Sequence, residues 1–389
     1  MKNLNGNRYD GFLRSIYVTS LLLLISFCLL PMEAKTQDVA QVIRRALPIG
    51  PEQPQASTQI QSRSSSDEQA KFLAGIDLPN DSGLAPLQST PAYRDHARQF
   101  SKAWSNFNAT HFSKMQAWSQ SELQPKLPPA SVLLYMFGGP DFVNAFALFP
   151  NMPVMVLAGL EPIGKLPELT QLSEPQLATA LAGLRTSTDS TLKWSFFIRK
   201  DMKVELERGD LRGVAPILYA FLALSGNTIE RAEYTRIAGS PALRIAYRQN
   251  ASSPQQILYY VNANLSNGAT KSLFAWLSSL GSSIGYLKAA SYLMHGDEFS
   301  SIRDFLLTRC AAILQDDSGI PYRYFSPERW QVYLYGKYTR PIELFKTRYQ
   351  NDLYNAYQNS GTVDFLPFGT GYQWRPGDSN LMLAVRKGN

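Results

Sequence analysis

The chain has 389 residues, of which 44% are hydrophobic and 18% are charged, and its formal net charge at pH 7 is +7. This length and apolar content can supply a sizeable core. Lysine and arginine are scattered, with no basic run interleaved with aromatic residues, which excludes the electrostatic footprint of a nucleic-acid-binding protein.

The N-terminus has the pattern of an export signal. Lys2, Arg8 and Arg14 precede the apolar run "LLLLISFCLL", which predicts a secretory signal peptide over residues 1–34. This run is shorter than the roughly 20 residues that cross a bilayer, so we expect no membrane span after cleavage, with a retained anchor as the alternative. Cleavage would leave Cys310 as the single cysteine and exclude a disulfide within the chain. The predicted location is the periplasm or the medium.

Two segments precede the main domain. Residues 35–70 are rich in Gln, Ser and Pro and nearly lack large apolar side chains, so a disordered tether is predicted. Residues 71–128 form a predicted N-terminal helical segment. Within it, aromatic and apolar residues from Phe100 to Trp118 recur every three to five positions, the spacing of one or two amphipathic helices.

Residues 129–389 alternate between predicted strands and helices. The runs "SVLLYMF" and "PVMVLAGL" flank the turn "GGPD" and the short helix "FVNAFALFP". Strands that are apolar on both faces are typical of the centre of a parallel sheet. The segments "SEPQLATALAGLRTSTDSTLKWSFF" and "GVAPILYAFLAL" are predicted helices, and "ALRIAYRQ" and "QQILYYVNAN" a strand pair.

Further along the chain the alternation continues. The segment "TKSLFAWLSSL" is a predicted helix, "GYLKAASYLM" a strand, "FSSIRDFLLTRCAAILQ" a helix and "WQVYLYGKY" a strand, and "RPGD" turns "FGTGYQW" into "SNLMLAVR". The prediction is a three-layer, Rossmann-like α/β domain with a mostly parallel sheet and a C-terminal antiparallel hairpin, preceded by the N-terminal helical segment.

Four stretches carry a resemblance: "LYMFGGPDFVNAFALFPNMPVMVLAGLEPIG", "YLKAASYLMH", "ILQDDSGIPYRYF" and "LPFGTGYQW". Over roughly residues 72–389 the chain resembles a family of exported bacterial proteins without a known activity. The resemblance implies an envelope or secreted protein with one long globular domain. The resemblance does not indicate which cofactor the protein binds, if any, or which residues are catalytic.

A looser similarity is to Rossmann-like folds of the methyltransferase type. A Gly-containing turn follows the first strand, an acid follows the second, and an antiparallel hairpin closes the chain. Glu161 follows Gly139 at nearly the interval of about 20 residues between a dinucleotide fingerprint and its ribose-binding acid. The turn "GGPD" departs from G-x-G-x-x-G, and the cofactor is left unknown.

Polar residues follow several predicted strands. Ligands of open parallel sheets bind beyond the carboxyl ends of the strands, which predicts a site for a small polar ligand there. Its candidate residues are Gly138, Gly139, Asp141, Glu161, Asn262, Asn264, His295 and Asp297. The alternative for each is local structure, namely turn glycines, helix caps and strand ends.

Metal binding and nucleophilic catalysis are not indicated. The chain has three histidines, two of them in the N-terminal helical segment, so no metal centre is predicted. The G-x-S-x-G match "GSSIG" around Ser283 lies between a predicted helix and a strand, the reverse of the order that exposes a nucleophilic serine.

The adjacent acids Asp316 and Asp317 follow the predicted helix "FSSIRDFLLTRCAAILQ" and would therefore lie at the sheet edge opposite the crevice. Carboxylates at a helix C-terminus are disfavoured by the helix dipole. An ion-pair junction is therefore predicted with Arg323 or another of the nearby arginines Arg303, Arg309 and Arg329. The alternative is a second site in which the two aspartates do acid–base work, hold a cation or face a glycan beside the aromatic residues that follow.

Three functions follow from this sequence. The first is an exported envelope protein that binds a small polar ligand. The second is a structural or interaction protein of the envelope without catalysis. The third is a hydrolase of a glycan or ester, so enzymatic activity is left open, as is the oligomeric state. A pocket above about 300 Å³ lined by Gly139, Glu161, Asn262 and His295 would favour the first or the third function.

Overall fold

The computed structural model describes residues 65–166, 168–194 and 211–388. The predicted signal peptide and most of the predicted tether lie outside the described residues. The last residues of the tether lie in helix α1, Ser66–Leu73, which begins with a reciprocal capping box between Ser65 and Glu68. The helical part therefore starts before the predicted boundary at residue 70. Among the described residues, no helix has both the length and the apolarity that a membrane crossing requires.

The predicted N-terminal helices are present. Helix α2 is Ala85–Gln88, α3 is Pro91–Phe107 and α4 is Ser113–Trp118, with π-helical turns at Asn108–Phe112 and Ser119–Leu123. Thr90 caps α3, because its Oγ1 accepts a hydrogen bond from the Tyr93 backbone N–H and Pro91 occupies the first turn.

The described chain forms one nine-stranded sheet. Its strands are β1 Val132–Met136, β2 Val154–Gly159, β3 Thr228–Ile237, β4 Ser240–Arg248, β5 Gln256–Asn262, β6 Ser283–Leu287, β7 Cys310–Gln315, β8 Trp330–Gly336 and β9 Asn380–Arg386. They lie in the order β3-β4-β5-β2-β1-β6-β7-β9-β8. The run from β5 to β7 is parallel, whereas β3, β4 and β9 make antiparallel pairs. The sheet is mixed, so a mostly parallel sheet is not confirmed.

Helices cover both faces of this sheet. The remaining helices are α5 Phe142–Leu148, α6 Glu174–Trp194, α7 Ala215–Leu224, α8 Lys271–Ser279, α9 Ser300–Arg309 and α10 Asn351–Asn359. Leu133 and Tyr135 of β1 pack in a core with α5, α6, α7 and the N-terminal helices, and Leu134 packs in a second core with α8 and α9. Burial on both faces explains the continuous apolar runs of the central strands.

Two predicted elements are wrong, and one strand was not predicted. The predicted helix "FSSIRDFLLTRCAAILQ" ends at Arg309, and Cys310–Gln315 is strand β7, buried between β6 and β9. Tertiary pairing here overrides the helix propensity of an Ala-rich run. The segment "FGTGYQW" is no strand and contributes one isolated bridge, from Thr370 to Gln373, so the predicted closing hairpin is wrong. Strand β9 instead pairs with β7 and β8, and the half-exposed edge strand β3 was missed.

Candidate functional site

The carboxyl ends of five parallel strands meet at one edge of the sheet. Because Cys310–Gln315 is a strand parallel to β6, Asp316 and Asp317 follow its carboxyl end and lie at the same edge as the loops after β1 and β6. The prediction that the acid pair lies at the opposite edge is therefore wrong. Its cause was the missed break between α9 and β7.

The acid pair is buried and bonded by uncharged donors. Asp316 Oδ1 accepts hydrogen bonds from the Ser318 N–H (3.0 Å) and hydroxyl (2.5 Å), and its Oδ2 accepts from the Ala289 N–H (2.9 Å). Asp317 Oδ2 accepts from the Tyr292 hydroxyl (2.5 Å) and Oδ1 from Asn380 Nδ2 (3.0 Å). Only 3% of Asp316 and 6% of Asp317 is exposed.

Burial raises the pKa of both carboxyls above the ordinary value of 3.8, and the charge of Asp316 raises the pKa of Asp317 further. The hydrogen bonds from Ser318 and Ala289, and the positive charge of Lys288, lower the pKa of Asp316 but do not cancel this burial effect. Two adjacent carboxylates in one buried space therefore hold a proton more tightly than free aspartates do.

The predicted arginine junction is not formed. The exposed Arg323 places its guanidinium over the Tyr324 ring at 5.0 Å. Arg303 donates to the Met294 carbonyl at 2.9 Å, and Arg309 to the Ser278 carbonyl. The helix-dipole argument for a compensating arginine does not apply, because the acids end a strand.

A lysine that the sequence analysis missed spans the centre of this edge. Lys288 Nζ lies 2.6 Å from Asp141 Oδ2, and both side chains are at most 3% exposed. The same carboxylate accepts from the Tyr135 hydroxyl (2.6 Å) and from Asn144 Nδ2 (2.6 Å). This ion pair joins the end of β1 to the end of β6. The one available signal was a lysine inside the apolar run "GYLKAAS".

The loop after β6, residues Lys288–Tyr292, is strained, and we call it the edge loop. Ala289, Ser291 and Tyr292 have φ angles of 51°, 53° and 56°, a region that costs a non-glycine residue about 1–2 kcal/mol. Hydrogen bonds hold it: the Ala290 N–H donates to Ser318 Oγ (2.7 Å), and the Tyr372 hydroxyl donates to the Ala289 carbonyl (3.0 Å). Such strain persists where the surroundings over-determine the backbone.

Three of the predicted ligand residues come together. The Glu161 carbonyl accepts from the Tyr260 hydroxyl (2.9 Å) and from Asn262 Nδ2 (2.8 Å). The half-buried Glu161 carboxylate lies beside Gly139, where an added Cβ would stand 3.4 Å from Oε2. At Gly159 an added Cβ would stand 2.3 Å from the same atom. Gly159 was missed, although a glycine ending an apolar strand is a signal for close approach.

The other predicted ligand residues have structural or exposed positions. An added Cβ at Gly138 would lie 2.7 Å from the Tyr135 ring. The exposed Asn264 accepts from the Ser266 N–H in a local turn, and the exposed Asp297 begins a short 3₁₀ turn. Neither side chain has a contact that links it to Glu161 among those observed in the described residues.

His295 lies on the acid-pair side of the edge. Its ring packs edge-on against Tyr292 at 5.1 Å. Burial, with the nearby positive charges of Arg348 and Arg323, lowers the pKa of His295 to about 4. The ring is therefore neutral at pH 7.

A cavity lies next to the acid pair. The volume that a water-sized molecule can occupy in it is about 10 Å³, and its lining consists of Gln315, Asp316, Asp317, Tyr322, Gln350, Leu353, Tyr357, Asn380 and Met382. Its amides are already engaged, since Gln350 Nε2 donates to the Asp317 carbonyl at 2.8 Å. Small-molecule sites usually offer about 300–1,000 Å³. The cavity is thus too small for a sugar ring with its hydroxyl contacts.

The described residues show neither a metal site nor an exposed nucleophilic serine. In residues 65–166, 168–194 and 211–388, no three His, Cys, Asp or Glu side chains are grouped so that they could hold a metal ion. Ser283 is buried on β6, where its hydroxyl donates to the Arg309 carbonyl. This serine is not presented to a substrate.

Comparison of the chain with protein-family models, with curated proteins and with solved structures finds no match.

Proposed function

We propose that this protein is an exported bacterial envelope protein that binds a small hydroxylated ligand of the nucleoside class beside Gly139, Glu161 and Asn262. The observation that carries the proposal is the half-buried Glu161 carboxylate, which lies against the backbone of Gly139 and Gly159 and accepts a hydrogen bond from the Tyr260 hydroxyl (3.3 Å). A carboxylate in this position accepts hydrogen bonds from neighbouring hydroxyls, as the acid of a dinucleotide-binding fold does with ribose.

The strand order supports a Rossmann-like core. Numbered along the chain, the parallel strands β1, β2, β5, β6 and β7 lie in the order 3-2-1-4-5, which agrees with the doubly wound order that binds dinucleotides. In such sheets the ligand binds where the strand order reverses, here at β1. Gly139 follows β1 and Glu161 follows β2, the positions that the proposal requires.

The charges at this edge narrow the class of ligand. Asp141 follows the glycine turn and is engaged by Lys288 at 2.6 Å. Because Lys288 is buried and its ammonium is paired with Asp141, it does not offer its charge to a phosphate placed after β1. A nucleoside without phosphate groups needs no such cation, whereas a dinucleotide does.

The proposal is tested by titrating the purified protein with adenosine, S-adenosylmethionine, ATP and NAD in a calorimeter. We expect binding of the compounds without phosphate. Glu161→Gln should weaken binding about tenfold or more, since hydrogen bonds to a charged group contribute about 1.5–3 kcal/mol. Its unfolding midpoint should stay close to that of the natural protein.

The matched control is Glu343→Gln. Glu343 is exposed and pairs with Lys346 at 2.8 Å, so this change removes a carboxylate away from the proposed site and should leave affinity unchanged. Binding that is equally strong in Glu161→Gln, or no binding of any of the four compounds at millimolar concentration, would contradict the proposal.

A second candidate is a structural or interaction protein of the envelope without catalysis. The observation that favours it is the buried Lys288–Asp141 pair. This pair occupies the centre of the carboxyl edge of the sheet, where a ligand would otherwise bind. Under this alternative, none of the compounds binds, and Lys288→Met changes stability alone.

A further inference from the structure

Phe137 is the one partly exposed residue in a long buried stretch. It directly follows β1, and every other residue from Val132 to Phe149 is buried. Its φ angle is 64°, which is a genuine outlier for a residue with a bulky side chain. The chain therefore holds a large aromatic side chain at the surface of the edge in a strained conformation.

The strained backbone decides on which face of the sheet Phe137 lies. Along β1, Leu133 and Tyr135 pack in the core with α5, α6 and α7. Leu134 and Met136 pack in the core with α8 and α9. Strand alternation would return Phe137 to the first core, but it packs at the border of the second. The protein thus accepts strain and also gives up burial of this ring, which points to function rather than packing.

The Phe137 ring forms an aromatic pair with Phe299. The ring centroids are 5.6 Å apart and the planes meet at 74°, so each ring keeps at least one face free of the other. Phe299 is also partly exposed. The backbone before it is fixed, because the carbonyls of Asp297 and Glu298 accept hydrogen bonds from Asn267 Nδ2 (2.7 Å) and from the Asn267 N–H (2.8 Å). The pair is a preorganised aromatic surface.

Backbone strain in the described residues is concentrated at this part of the edge. Five non-glycine residues there have a positive φ. Phe137 follows β1, and Ala289, Ser291 and Tyr292 belong to the edge loop after β6, the strand that pairs with β1. The fifth, Ala238, lies in the turn of the β3–β4 hairpin, where such angles are usual. Strain of this kind clusters at ligand-binding sites.

Phe137 also lies near the acid of the proposed site. It precedes Gly139 by two positions, so their Cα atoms are at most about 7 Å apart. Apart from the chain neighbours of Gly139, the described atoms within 4 Å of a Cβ built there all belong to Glu161. Leu160, which follows the paired strand β2, is 50% exposed. An apolar surface thus adjoins the Glu161 carboxylate, as the base of a nucleoside adjoins its sugar.

We propose that Phe137 stacks the aromatic base of the ligand while Glu161 binds the hydroxyl groups of its sugar. The ligand class then narrows to nucleosides with a flat aromatic base, and Phe137 is a specificity-determining residue. The part played by the sugar rests on the proposed function, whereas stacking of the base needs no contribution from Glu161.

The test is calorimetric titration of the natural protein, Phe137→Leu and Glu161→Gln with adenosine, dideoxyadenosine and methyl riboside. Dideoxyadenosine keeps the base but lacks the sugar hydroxyls, and methyl riboside has the hydroxyls but no base. Phe137→Leu should weaken the binding of both base-bearing compounds about fivefold or more, as expected from the loss of one stacking ring. It should leave the affinity for methyl riboside unchanged. Glu161→Gln should weaken adenosine binding and spare dideoxyadenosine.

The matched control is Phe305→Leu. Phe305 is a partly exposed residue in the middle of α9 and stacks on Phe274 at 4.3 Å, so its loss should leave all affinities unchanged. Phe137→Tyr keeps the ring and should retain the natural affinity. If Phe137→Leu does not fold, nuclear magnetic resonance of the natural complex decides the question. The adenine protons should shift upfield under the ring current of Phe137, and unshifted signals would contradict stacking.

The outcomes separate this inference from the proposed function. Adenosine binding that requires Glu161 but is unchanged in Phe137→Leu would overturn the stacking and leave the proposed function standing. Dideoxyadenosine binding that requires Phe137, with adenosine bound no more tightly and unaffected by Glu161→Gln, would support the stacking and overturn the role of Glu161. If neither base-bearing compound binds at millimolar concentration, both fail.

Discussion

Gly371 has no side chain, and this leaves room for the Asp316 carboxylate. Gly371 has a φ of 61°, and a Cβ built there would stand 1.9 Å from Asp316 Oδ2. That oxygen is held by the Ala289 N–H, so it is not free to move aside. The glycine thus serves both the backbone conformation and the packing of the acid pair.

Gly371→Ala should therefore cost more than backbone strain alone. The matched control is Gly361→Ala, because Gly361 has a φ of 65° with no atom within 4 Å of its added Cβ. We expect the control to lose about 1–2 kcal/mol of unfolding free energy and Gly371→Ala about 1–3 kcal/mol more from overpacking. Urea denaturation measures both, and equal losses would show that the Asp316 contact is unimportant.

At the scale of elements, β1 and β6 are tied by a buried charge pair. Lys288→Met should lower the unfolding free energy by about 3–5 kcal/mol, because the Asp141 carboxylate is left buried without its cation. Lys346→Met removes a pair of similar length, 2.8 Å, whose side chains are 69% and 59% exposed. It should cost under about 1 kcal/mol. Similar losses in the two variants would contradict the role given to burial.

The buried carboxyl of Asp317, in the loop after β7, should make the free energy of unfolding depend on pH. The pKa of Asp317 is raised in the folded protein above its ordinary value of 3.8, so its contribution to stability is fully present below that value. The contribution is lost as pH rises through the raised pKa. Asp317→Asn should therefore gain stability relative to the natural protein as pH increases from 4 to 8. Thermal unfolding midpoints that differ by a constant amount across this range would disprove the expectation.

Strands and helices were predicted correctly from the sequence where one physical signal, such as the apolar pattern, is strong. The runs that became β1 and β2 are apolar on both faces, and the spacing of apolar residues from Phe100 to Trp118 indicated the helices α3 and α4. The junction of Arg309 and Cys310 carries no Gly, Pro or cap, so the change from α9 to β7 is invisible locally. It is decided by pairing with β6 and β9.

The same missed junction limited what could be predicted of the site. Gly139, Glu161 and Asn262 were placed together, because each follows a strand with a clear pattern. The bond from Asn380 to Asp317 joins residues 63 positions apart, and no local pattern indicates it. The strain at Ala289 and Tyr292 was equally hidden, since neither residue type favours a positive φ.

At the scale of the whole molecule, the N-terminal helices share a core with the far end of the chain. Trp118 packs edge-on against Tyr335 at 5.0 Å and against Phe368 at 5.6 Å. The helical segment that the sequence set apart as residues 71–128 is thus packed with residues near the C-terminal strands. The described residues, 65–166, 168–194 and 211–388, belong to one compact unit.

We therefore expect the helical segment and the sheet to unfold in a single cooperative transition. Circular dichroism reports helices and sheet together, and tryptophan fluorescence reports the surroundings of Trp118 among others, so the two signals should have the same urea midpoint. Two separated transitions would show that the helical segment and the sheet are independent folding units.

The position of β9 has a consequence for how the protein folds during synthesis. Among the described residues, Asn380–Arg386 is made after the other eight strands, yet it lies inside the sheet, between β7 and β8. Until it is made, β8 has no strand to pair with and one side of β7 is open. Strands that pair across long sequence separations form slowly. The nascent chain therefore cannot complete its sheet until Asn380–Arg386 has left the ribosome.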